Sequence, residues 1–108
     1  MRAACARLAP GPGEGPSVAQ QDQGGFRCEL VARSVNGQLL RGRVSAQGDP
    51  GNRATTRMVS EAALALVFDA ALLPGGPGRG GVLTPASALG DVLLGRLRAA
   101  GMAFVVDA

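Results

Sequence analysis

The chain has 108 residues, 46% of them apolar, which suits at most one small domain and excludes a wholly disordered polymer. It contains no His, Tyr, Trp or Lys, so a His-based triad and a His-ligated zinc are excluded, and proton transfer falls to carboxylates and two cysteines. The net charge of +3 rests on 11 arginines against 8 acids, scattered and without the basic-aromatic stripe of a nucleic-acid binder, so nucleic acid is not an expected partner, and without histidine ligands neither is a metal.

The opening MRAACARLAP begins like a leader, but Arg7 interrupts it and no adequate apolar stretch follows. From Pro10 to Gly25 glycine, proline and glutamine dominate, a composition that cannot offset its ordering entropy. Residues 1–25 are therefore expected to form a disordered Gly/Pro-rich tail, with folding to begin at Phe26. Two cysteines, Cys5 and Cys28, are too few for a disulfide scaffold, which points to a reducing, cytoplasmic setting. Cys28 itself is expected as a small buried hydrophobe, since no activating base stands near it.

Phe26, Cys28, Leu30 and Ala32 alternate with Arg27, Glu29, Val31 and Arg33, a period of two. Leu40, Gly42, Val44 and Ala46 repeat the pattern, and Asn36-Gly37 between them predicts a hairpin closed by a primed two-residue turn. Its arginines should share a solvated face. Asp49-Pro50 then predicts a helix from Pro50 to about Ala71, with Asp49 as N-cap and Pro50 at N1. Beyond Glu61 that helix is apolar almost all round, so it is expected to be buried on several sides, more than this chain can cover. Glu61 and Arg57, four residues apart, should pair on its surface.

Residues 72–81, LLPGGPGRGG, read as a loop, and no phosphate-cradling motif can be written in them. Thr84 as N-cap and Pro85 at N1 start a second, amphipathic helix, with Leu89, Val92, Leu93, Leu97 and Ala100 in one stripe. Arg96 and Arg98 suit its last turn, and Gly101 its C-terminal cap. Met102 to Val106 predicts a closing strand. The fold class is α+β.

Three stretches in order carry a resemblance: residues 26–66 (FRCELV through GDPGNRATTRMVSEAALAL), GGVLTPASALGDVLLGRLRAAG, and MAFVV. Within them GDPG, the following Thr-x-x-Met-x-x-Glu-x-Ala-Leu, and GGVLTPA-x-A-x-GD are specific in combination. Together they resemble the C-terminal part of the saccharopine dehydrogenase-like oxidoreductases, in particular their trans-acting enoyl reductase branch. The resemblance implies that residues 26–108 form the C-terminal part of the substrate domain of a two-domain Rossmann-type oxidoreductase of lipid biosynthesis, whose other domain binds NAD(P). No G-x-G-x-x-G fingerprint occurs here, so this chain is expected to bind no cofactor and to lack the Rossmann domain.

What else the resemblance implies is a lipid-type substrate, a membrane-peripheral association that nothing in this chain anchors, and a complementary Rossmann-domain chain or further copies of itself as partners. The family pattern continues GDPG with an aromatic residue, where this chain has Asn52. Candidate substrate-cleft residues are Asp49, Asn52, Arg53, Thr55 and Thr84, for each of which a local role in capping or on a solvated face is the competing reading. The alternatives to an oxidoreductase segment are a small non-catalytic interaction module and a relic without function.

Overall fold

A computed structural model describes residue 11 and residues 13–107. The expected tail over residues 1–10, with Cys5, lies outside the described residues. The elements in order are helix α1 (Val18–Gln23), strands β1 (Gly25–Arg33) and β2 (Leu39–Gln47), and helix α2 (Arg53–Phe68) with a single 3-10 turn (Ala70–Leu72). Helix α3 (Pro85–Ala99) and strand β3 (Ala103–Asp107) complete the chain. The α+β class is as expected, and the sheet is three-stranded, antiparallel and ordered β1-β2-β3.

Order begins earlier than Phe26. Ser17 and Gln20 form a reciprocal capping box at the start of α1, each side chain bonding the other's backbone N–H. That Ser-x-x-Gln signal was present in a stretch dominated by linker composition. The end of α1 is tied to the rest of the chain by Gly48 N–H to Gly24 C=O at 2.7 Å and Asp49 N–H to Gln21 C=O at 2.8 Å.

The hairpin pairs Gly25 with Gln47 through to Arg33 with Leu39. Its turn differs from the expected one. Ser34 N–H bonds Gln38 C=O, Gly37 N–H bonds Ser34 C=O, and Gly37 takes a φ of 80° while no other residue type has positive φ. Asn36 thus stays out of the left-handed region that a primed turn requires. The loop is the three-residue kind, ending in a left-handed glycine.

The core is small. Ala65, Leu89, Leu93, Leu97 and Met102 are buried, with Phe26, Val44, Ala46, Met58, Ala62, Val92 and Phe104 packed around them. The α3 stripe therefore does what its spacing predicts. The end of α3 is a Schellman motif: Met102 N–H reaches Leu97 C=O, and left-handed Gly101 bonds Arg98 C=O. β3 then lies antiparallel to β2, with Ala103 opposite Ser45.

Two expectations of burial fail. Helix α2 buries Ala54 and Ala65 but leaves Val59, Leu66, Val67 and Phe68 exposed, Phe68 at 72%. Among the described elements α3 makes the main packing on it, and these four residues lie outside that contact. Cys28 is exposed too. The Cα radius of gyration is 18.0 Å, against about 13 Å for a closely packed domain of this length.

Candidate functional site

The GDPG turn is held by a single carboxylate. Asp49 Oδ1 accepts from Gly51 N–H at 2.7 Å, Oδ2 from Asn52 N–H at 3.2 Å, and Oδ2 more weakly from Arg53 N–H at 3.4 Å. The expected N-cap is therefore displaced: Asn52 and not Asp49 stands at the N-cap, the helix starts three residues later than expected, and the Asp49 carboxylate holds the turn ahead of it. Residues 50–52 are a turn, and the helix proper runs Arg53–Phe68, not Pro50 to Ala71. The reason lies in the geometry of the carboxylate, which folds the chain back on residues 51–53 and holds Pro50 outside the helix. Thr55 adds to the turn by donating its hydroxyl to Pro50 C=O.

Asn52 is exposed at the junction and makes no side-chain cap bond. Arg53 pairs with Asp22 of α1 at 2.7 Å, both side chains about half exposed. Replacing Asp49 by alanine should cost about 1 kcal/mol of stability, as loss of a carboxylate that satisfies backbone N–H groups at a helix entry does; a urea titration that leaves the midpoint unmoved would contradict its hold on the turn.

Asp49, Asn52, Arg53 and Thr55 are thus brought together in one turn. Thr84 belongs elsewhere. Its hydroxyl oxygen accepts from Ser87 N–H at 3.3 Å and meets the Ser87 hydroxyl at 3.0 Å, and these bonds cap α3. None of five prominent hollows of the described surface is lined by any of the five residues.

An apolar hollow lies instead on the helix side of the sheet, with a volume of about 400 Å³. Leu30, Leu40, Leu94, Phe104 and Val106 line it, and Arg98 stands at its wall with Nη2 toward the Phe104 carbonyl at 3.4 Å. It exists because the helices cover the Phe26–Ala46 end of the hairpin and stop short of Leu30 and Leu40. The alternation of the strands foretold an apolar face, but not that half of it would remain open.

One cluster lay beyond local sequence reasoning. Arg96 Nε donates to Glu61 Oε2 at 2.9 Å and its Nη1 to Asp69 Oδ2 at 2.8 Å. All three side chains are about three-quarters buried. Glu61 therefore pairs across to α3 and not with Arg57 along its own helix. Partial burial opposes the charge on Arg96, but the hydrogen bonds to Asp69 and Glu61 outweigh it and hold its pKa above the ordinary arginine value. No group of three or more acidic, cysteine or histidine ligands that could hold a metal occurs among the described residues.

These features define an α+β segment with a structural GDPG turn and an open apolar hollow. Over 96 residues, 89% of this chain, it is 43% identical to a Mycobacterium tuberculosis protein whose name assigns it provisionally as a trans-acting enoyl reductase. It is 35% identical over the same length to the trans-acting enoyl reductases of Mycobacterium ulcerans and Mycobacterium bovis. The chain spans 22% of the length of each of these curated relatives, and so is a partial homologue of trans-acting enoyl reductases. No family model matches the chain, and no solved structure does.

Proposed function

We propose that this chain performs the part of one segment of a trans-acting enoyl reductase: a wall of the substrate side of an NAD(P)-dependent oxidoreductase, within the wider saccharopine dehydrogenase-like group. The carrying observation is the 43% identity over 96 residues. In this reading hydride passes from the nicotinamide to an activated double bond on residues that this chain does not contain. The apolar hollow beneath the hairpin suits an acyl chain, which supports a lipid-type substrate; membrane contact would come through that substrate. No helix among the described residues is long and apolar enough to cross a membrane.

The cofactor half is the part to supply. Titrating the chain with NADPH in a calorimeter should give no saturable heat, and adding the preceding segment of a homologous enoyl reductase should restore NADPH-dependent reduction of an enoyl thioester. Micromolar binding of NADPH by the chain alone would overturn the reading, and so would a restored activity that does not need this chain.

A further inference from the structure

Among the described residues nothing pairs with the outer edge of β1. It runs from Gly25 to Arg33 in unbroken register with β2, with no proline and no bulge to turn it away. Gly24 with Gly48 at one end and Ser34 with Gln38 at the other are hydrogen-bonded pairs. By alternation, the even-numbered residues of β1 bond to β2, and Gly25, Arg27, Glu29, Val31 and Arg33 turn their N–H and C=O groups outward. Arg27 and Glu29 are exposed, and neither joins an ion pair among the described residues, although Arg43 stands opposite Glu29 on β2.

We propose that this edge pairs with the same edge of a second copy of the chain, antiparallel, with the two-fold axis at Cys28. The strand is self-complementary about that point. Arg27 falls opposite Glu29 of the second copy and Glu29 opposite its Arg27, two ion pairs at hydrogen-bonded positions. Phe26 meets Leu30 on the helix side. Placing the axis at Arg27 or at Glu29 would set like charges face to face. Placing it at Val31 opposes Glu29 with Arg33 but pairs only residues 29–33, against 25–31, and strands Phe26.

The antiparallel arrangement also sets the helix-covered half of one copy beside the bare Leu30–Ala32 half of the other. Each copy then walls the open side of its neighbour's apolar hollow. Leu30 on the pairing strand and Leu40 one strand in, 54% and 45% exposed, are the residues that gain cover. The partner is a second copy because both charge signs and both halves of the sheet complement themselves. This inference does not depend on the enoyl reductase reading.

Light scattering on the full chain at about 100 µM should show a dimer. Arg27→Glu and Glu29→Arg should each raise its dissociation constant roughly tenfold or more, because like charges then oppose each other twice. The double variant R27E/E29R should restore it, which no purely local folding role would do. With Cys5→Ser, the two Cys28 thiols lie about 4.5 Å apart at Cα, so copper–phenanthroline should take two electrons and two protons from them and form a covalent dimer rapidly. V31C in a chain lacking both native cysteines should couple more slowly. A monomer at that concentration, a dimer indifferent to charge reversal, or faster coupling through V31C would overturn the proposal.

Discussion

Gly90→Ala destabilises the chain by about 2–4 kcal/mol, a loss on the order of 15 °C in unfolding midpoint for a domain of this size. Gly90 lies inside α3 with φ 48° and ψ −134°, a combination outside the range of residues with a Cβ. The added methyl would also stand 2.9 Å from Cγ of Pro74, closer than real contacts allow. The loop after α2 therefore presses on α3 where only glycine lets the backbone step aside. The companion change Pro74→Ala removes the collision but leaves the backbone strain, so the double variant should recover only part of the loss. Thermal unfolding followed by circular dichroism measures both. An alanine tolerated at position 90 without loss would mean that α3 runs straight in solution.

Removing the guanidinium by Arg96→Met should lower the midpoint by more than Asp49→Ala does, on the order of 5–10 °C. Two largely buried carboxylates, Glu61 and Asp69, then lose their shared partner. Arg96→Lys should recover only part, because one ammonium cannot reproduce a planar fork whose Nε and Nη1 serve different carboxylates. Exchanging all three for apolar residues of similar volume should regain most of the stability. The contrast is Arg53→Gln. That ion pair with Asp22 is about half exposed, and its loss should stay within about 0.5 kcal/mol. A larger effect at Arg53 than at Arg96 would reverse this ranking of the two clusters.

The legible parts of this chain are those written in local chemistry. Thr84-Pro85 marked the start of α3 and Gly101 its end because capping needs only neighbours in sequence. The alternation from Phe26 to Ala46 placed both strands. Asp49-Pro50 points to an N-cap and N1, but the Asp49 carboxylate shapes a turn instead, and that moves the N-cap to Asn52 and the helix start to Arg53. Asn36-Gly37 misled because the dipeptide fits two hairpin loops, and the chain closed with the one that leaves Asn36 at negative φ.

The ion cluster was illegible for a different reason. Glu61 and Arg96 are 35 residues apart, and no local pattern says which arginine a carboxylate will meet. The exposure of α2 and of Cys28 is not written in their sequence, because apolar residues show what a surface requires, not whether this stretch of chain supplies the cover. The candidate cleft residues divided accordingly. Four of them meet in the GDPG turn, while Thr84 is engaged at the head of another helix.

The placement of β3 sets an order of events as the chain acquires its structure. Hairpin closure between β1 and β2 crosses one short loop, whereas Ser45 must wait for Ala103 before the sheet gains its third strand. Everything between them, both long helices and the glycine-rich loop, has to be drawn in first. A two-stranded hairpin alone is marginal in water. The ladder between β2 and β3 is therefore the high-contact-order pairing of the fold, and it is expected to close more slowly than the hairpin.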